Sequence, residues 1–175
     1  MSGKVFIANK NSRVYFGFTE VGIFDKKYER SIWYNSGIIE FYGNAHFGQG
    51  TRLSNSGRIV FGNNFCVNAN STIVCVKEII FGENVLVSWD VLIMDTDFHK
   101  IYLKGNDNSI PINKPKKINI KDNVWIGCRS LILKGTHIQN STVIAASSTI
   151  SGIYKEQNVI LGSNRIIKQN ITWEP

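Results

Sequence analysis

With 175 residues, 43% of them hydrophobic, and only three prolines, the chain has the material for one domain with a substantial core, which excludes extended disorder. Its formal charge of +7 could help hold a polyanionic ligand, but scattered lysines read more simply as solvated surface, and no nucleic-acid partner is expected. No apolar run reaches the length of a membrane span, and Met1–Lys10 lacks the apolar core of a signal peptide, so a cytoplasmic protein is expected. Cys66, Cys75 and Cys128 are odd in number and lack metal-type spacing, which fits reduced side chains in that compartment.

Residues 1–34 read as an irregular capping segment. Val5–Ile7 and Val14–Phe18 are candidate strands, Val21-Gly22 a candidate start of a degenerate first coil, and Asp25–Arg30 a charged, exposed turn. From Asn35 a repeat of 20 residues emerges. Asn35-Ser36-Gly37 returns as Asn55-Ser56-Gly57, and Ile39-x-Phe41 returns as Ile59-x-Phe61, Ile79-x-Phe81 and Ile118-x-Ile120. Phe47, Val67 and Val87 make a second column; Leu53, Ile73 and Ile93 make a third. Three columns imply a triangular prism of stacked coils, each early coil carrying two residues more than the 18 that three six-residue faces need. Gly62-Asn63-Asn64 and Gly82-Glu83-Asn84 supply residues that tolerate positive φ at a turn.

The register breaks once, because Phe81 to Ile120 spans 39 residues where 20 are expected. The insertion covers 94–117, includes His99, and is expected to project as a loop from one face of the solenoid. Beyond it the repeat tightens. Ile120, Ile126, Ile132, Ile138, Ile144 and Ile150 recur every six positions, with Val124, Ser130, Thr136, Thr142 and Ser148 four residues after successive isoleucines. Neither a helix, near 3.6, nor a simple strand, at 2, has that period; a parallel β-helix with one short strand per unit does. Asn158–Gly162 reads as a last strand and 163–175 as a basic, aromatic-ended tail, leaving a β-helix domain over 35–162.

Val124-Trp125-Ile126-Gly127, Val143–Ser148 and Gly162-Ser163-Asn164-Arg165-Ile166-Ile167-Lys168 resemble the hexapeptide-repeat acyltransferases, in particular members that O-acetylate bacterial capsule or O-antigen sugars. Ser88-Trp89-Asp90 through Met94-Asp95-Thr96-Asp97-Phe98-His99 resembles the catalytic loop of that subgroup. The resemblance implies an all-β, left-handed parallel β-helix that forms a homotrimer, with acetyl-CoA along the prism wall near the subunit interface. The period leaves handedness open, and the general crossover preference would favour the right hand. Two departures stand out: the tail lacks the family's usual proline, and Ser151-Gly152-Ile153 replaces a Thr-Lys-Asp whose lysine helps hold the coenzyme. Lys155, Arg165 and Lys168 are the candidate replacements.

Transfer of an acyl group from a thioester to a sugar hydroxyl needs a base, and histidine titrates near neutrality. His99, alone in the insertion, is the candidate; Asp95 or Asp97 would either orient its ring or cap the turn. His46 and His137 precede column residues on other coils, and three dispersed histidines do not make a metal site. Asn68 matches the position of an acceptor-binding asparagine in sugar-acetylating relatives. By the same resemblance Trp125 packs on the pantetheine arm, or else serves as wall packing or a trimer contact, and amides near Cys128 and Ala146 receive the coenzyme's amides and thioester; the charges of Arg165 and Lys168 suit its phosphates. Cys128 as a nucleophile is disfavoured, since no histidine adjoins it in sequence. The expected activity is O-acetylation of a sugar or polysaccharide precursor. An amino-sugar N-acetyltransferase of the same fold and a non-catalytic β-helix scaffold are the alternatives.

Overall fold

A computed structural model describes residues 2–19, 22, 29–104 and 110–174. The candidate first-coil start at Val21 and most of the 25–30 turn lie outside the described residues.

Three parallel walls enclose the core. Wall A stacks β1 (Lys4–Ile7), β4 (Ile38–Phe41), β7 (Arg58–Phe61), β10 (Glu78–Phe81), β13 (Ile118–Ile120) and β16 (His137–Ile138). Wall B stacks β2 (Val14–Thr19), β5 (Ala45–Gly48), β8 (Phe65–Val67), β11 (Leu86–Val87), β14 (Trp125–Ile126), β17 (Val143–Ile144) and β19 (Val159–Gly162). Wall C stacks β3 (Ile32–Asn35), β6 (Arg52–Asn55), β9 (Thr72–Cys75), β12 (Leu92–Met94), β15 (Leu131–Leu133) and β18 (Thr149–Ile150). The chain visits A, B and C in turn, so each circuit is one coil.

The inward columns follow the sequence repeat. Ile59 pairs Ile79, Phe61 pairs Phe81, Val67 pairs Val87 and Ile73 pairs Ile93, all at most 1% exposed. The six isoleucines at period six are likewise 0–1% exposed. The residues four places on, Val124, Ser130, Thr136, Thr142 and Ser148, are buried at the corners, where only small side chains fit. Their hydroxyls are not orphaned: Ser130 Oγ donates to the Ala145 carbonyl at 3.1 Å and Thr136 Oγ1 to the Ile150 carbonyl at 3.1 Å. The two extra residues of the early coils widen the corner between walls C and A, where Asn35-Ser36-Gly37 and Asn55-Ser56-Gly57 lie. A wider cross-section takes larger fillers. Phe41, Phe61 and Phe81 stack at centroid separations of 5.0 and 5.3 Å, while the tighter upper coils are filled by isoleucine.

Within residues 1–34, β1, β2 and β3 pair in parallel with the strands of the next coil, as its outermost circuit. Val5, Phe6 and Ile7 stay 47–52% exposed, because among the described residues β1 has a strand neighbour on one side only, β4. At the other end the rhythm breaks after Ser151, and β20 (Arg165–Gln169) folds back antiparallel on β19. Its Ile166 packs on the core, and Asn164 Oδ1 accepts from the Ser151 amide at 2.7 Å, tying the hairpin across the end of the prism.

Candidate active site

The insertion leaves wall C at Met94 and rejoins wall A at Ile118, so it rises from the already widened C–A corner. Asp95 anchors it. The Asp95 carboxylate is fully buried and accepts amide protons from Val76 (2.8 Å), Lys77 (2.7 Å) and Glu78 (2.8 Å), with the Cys75 thiol at 3.6 Å. It continues the stack of Asn35 and Asn55, which turn the same corner in the coils below. Both oxygens face the corner, and no hydrogen bond joins the carboxylate to the His99 ring among the described residues. Burial and this carboxylate push the Cys75 thiol well above its usual range.

Asp97 is the carboxylate that shapes the loop. It pairs with Lys134 and accepts from Asn113 Nδ2 at 2.8 Å, and these contacts hold it below the ordinary carboxylate range. The same Asn113 amide donates to the His99 carbonyl at 2.8 Å, while its Oδ1 accepts from the Ile101 amide at 2.8 Å. Lys116 donates its amide to the Asp95 carbonyl at 3.0 Å and closes the loop at its base. His99 is therefore held through its backbone on an otherwise exposed turn, with Phe98 at φ 60° forming the bend. Asn113 and Lys134 were not legible as site residues: one lies 14 residues beyond His99, the other on the next coil.

The remaining candidates gather elsewhere. Trp125 stands on the outer face of wall B, in one register column with Leu86, Val143, Ile160 and Lys168. Its indole N–H donates to Ser88 Oγ at 3.0 Å, and its ring lies 6.0 Å from that of Trp173, whose own N–H holds the Asn123 carbonyl at 2.7 Å. Asn68, Ser88, Cys128 and Ala146 turn the B–C corner on successive coils. There the Gly127, Ala145 and Ser147 amides meet backbone carbonyls, whereas the Cys128 and Ala146 amides have no backbone acceptor among the described residues. A Cβ at Gly127 would sit 2.7 Å from the Ala146 nitrogen, so glycine is what allows the coils to close here. Arg165 pairs with Gly162 directly above this corner, and a Cβ on Gly162 would lie 3.6 Å from Ala145.

The structure thus collects Asn68, Trp125, Cys128, Ala146, Arg165 and Lys168 along wall B and the B–C corner, and places His99, Asp97, Lys134 and Asn113 at the C–A corner. His46 stacks on Tyr15 at 4.9 Å on the lower part of wall B, and His137 lies on wall A. Among the described residues no three His, Cys, Asp or Glu side chains converge on a metal position, and no helix is long and apolar enough to cross a membrane.

The described residues thus form a parallel hexapeptide coil with one histidine-containing insert and a corner where two amides lack a backbone acceptor. No family model matches the chain. A putative lipopolysaccharide biosynthesis O-acetyl transferase, WbbJ of Escherichia coli, is 32% identical over 145 residues, 77% of this chain and 74% of that protein. An uncharacterised 24.8 kDa protein in the cps region of Klebsiella pneumoniae is 31% identical over 174 residues, 95% of this chain and 73% of that protein. The crystal structure of the polySia-specific acetyltransferase NeuO superposes with a TM-score of 0.71 at 21% identity, over 79% of this chain and 66% of that one. The chain belongs to the hexapeptide-repeat acyltransferases, and its coil has the left hand of that family.

Proposed function

We propose that the protein transfers an acetyl group from acetyl-CoA to a sugar hydroxyl in surface-polysaccharide biosynthesis, as a cytoplasmic homotrimer with His99 as general base. The observation that carries this reading is the division of the site. His99 rises from the C–A corner, whereas the residues suited to the coenzyme lie on wall B and the B–C corner, and one prism stands between them. Two copies side by side bring one set against the other. The loop offers material for such a contact, since Phe98, Ile101, Tyr102, Ile110 and Ile112 are 44–66% exposed on a single subunit. The names of WbbJ and NeuO support a polysaccharide-type acceptor.

The B–C corner suits the coenzyme: two open amides, a glycine-tightened wall, the Trp125 face and the backbone position of Arg165 lie within neighbouring strands. When bound, acetyl-CoA supplies a thioester carbonyl open to attack and a thiol as leaving group. His99 accepts the hydroxyl proton as the acceptor oxygen attacks, and returns it as the thiol departs. The Cys128 or Ala146 N–H stabilises the charge developing on the carbonyl oxygen. Asp97, Asn113 and Lys134 hold the backbone that carries the base. Asp95 takes no part in proton transfer.

Mixing subunits tests the reading. His99→Ala and Trp125→Ala chains, each weakly active alone, are refolded together at equal amounts, and thiol release is followed with a sugar acceptor. A site shared between neighbours restores activity to about a quarter of the sites in a random trimer, by the symmetry of a closed ring. No restoration, or a monomeric mass by light scattering, refutes the shared site. An acetyl product stable to mild base would mean an amide, not the ester proposed.

A further inference from the structure

A second basic feature lies beside the His99 loop, away from Trp125 and the Cys128–Ala146 corner, and it takes in Ser151, Gly152 and Ile153, where the resemblance puts a coenzyme-holding lysine that this chain lacks. Where the C–A corner meets the outer face of wall A, a cavity of about 520 Å³ is lined by Lys77, Lys116, Lys117, Lys134 and His137. Lys117 is paired with Glu78 at 2.8 Å and Lys134 with Asp97. The Lys77 and Lys116 ammonium groups pair with no carboxylate among the described residues. Four ammonium groups around one cavity, two of them uncompensated, raise the local positive potential and favour an anion.

The clasp that aims the loop also positions these lysines. The Lys77 amide donates to the Asp95 carboxylate, and the Lys116 amide donates to the Asp95 carbonyl. The Lys116 carbonyl in turn accepts from the Gly135 amide at 3.2 Å, next to Lys134, whose ammonium holds Asp97. Groove and His99 backbone are therefore fixed on one another through Asp95, Asp97 and Asn113. A negatively charged group seated here stands at a set place relative to the base and on the base's own side of the prism.

We propose that this groove binds a phosphate or carboxylate group carried by the acceptor, so that the enzyme acts on an acidic or phosphate-linked sugar in preference to a neutral one. This rests on the acetyltransferase reading, and two measurements separate the two ideas. In the first, inorganic phosphate is titrated into the protein and the Gly135 and Gly152 amide resonances are followed, with no turnover required. Shifts that saturate in the wild type and vanish in Lys77→Gln/Lys116→Gln, but persist in Lys114→Gln, support the site. Absence of shifts overturns it, whether or not the protein transfers acetyl groups.

The second measurement compares a sugar with its uronic-acid or phosphorylated counterpart as acceptor. The double variant should raise KM for the anionic acceptor about tenfold and leave KM for the neutral one and for acetyl-CoA within about twofold, as expected for loss of two charges beside a bound anion. Inorganic phosphate should compete with the anionic acceptor and not with acetyl-CoA. If the double variant raises the acetyl-CoA KM instead, or phosphate competes with acetyl-CoA alone, the groove serves the coenzyme and the proposal fails.

Discussion

Replacement of Asp95 by alanine should destabilise the protein more than any surface substitution on the loop. The carboxylate accepts three backbone N–H groups at 2.7–2.8 Å at a site with no solvent exposure. Removing it leaves the Val76, Lys77 and Glu78 amides without that acceptor at a part-buried corner. Each buried donor left unpaired costs about 1–3 kcal/mol, but a small cavity lets some rotate toward solvent, so about 3–5 kcal/mol is expected for the set. For a domain of this size that is a fall in Tm of roughly 6–20 °C. Asp95→Asn should lose less, because one amide oxygen still accepts, as Asn55 Oδ1 does from the Gly57 amide at 3.1 Å two coils below. Thermal melting read by far-ultraviolet circular dichroism gives the comparison, and thiol labelling gives a local one. The Cys75 thiol is buried against this carboxylate, so the alanine variant should label at Cys75 under conditions where the wild type does not. An alanine variant that melts within about 2 °C of wild type, well inside the cost of one unpaired amide, would refute the view that this corner is held by Asp95.

His99→Asn should keep fold and assembly while kcat falls by about 10²–10⁴-fold, the usual contribution of one positioned base; retention of more than about a tenth of kcat moves the role elsewhere. Arg165→Ala should raise the acetyl-CoA KM and spare the sugar KM, since Arg165 pairs with Gly162 in the strand above the B–C corner and its charge suits the coenzyme phosphates; an unchanged acetyl-CoA KM at low and moderate salt removes it from the site. Asp97 titrates below its ordinary value, first through its bond to Lys134. A depressed carboxylate pKa contributes its stabilisation above the unfolded value and loses it only as pH falls through the folded one. The Ile101 and Asn113 side-chain resonances should therefore stay constant from pH 8 to about pH 4, and a titration of Asp97 at or above the usual carboxylate value of about 3.9 would contradict the pairing.

How much of this was legible in the chain depends on the range of the interaction. The isoleucines from Ile120 to Ile150 show the coil because each unit meets the same narrow interior, so one physical demand repeats at a fixed interval and marks the sequence periodically. The insertion around His99 was visible for the converse reason, as a break in that period. Asp95 and Asp97 look alike in the sequence, two places apart. The coil below supplies three amides to the first, whereas Lys134 from the coil above and Asn113 from the far arm of the loop meet the second. The separation of His99 from Trp125 follows from which wall each strand joins, and the gathering of Lys77, Lys116, Lys117 and Lys134 around one cavity joins residues from three coils. The sequence by itself determined the coil, its three columns and the place of its one interruption, because side-chain size in a constant cross-section is a local demand. Only the tertiary structure decided which carboxylate clasps the corner, which one shapes the loop, and that His99 and Trp125 face different ways, because contacts between stacked coils leave no periodic trace along the chain.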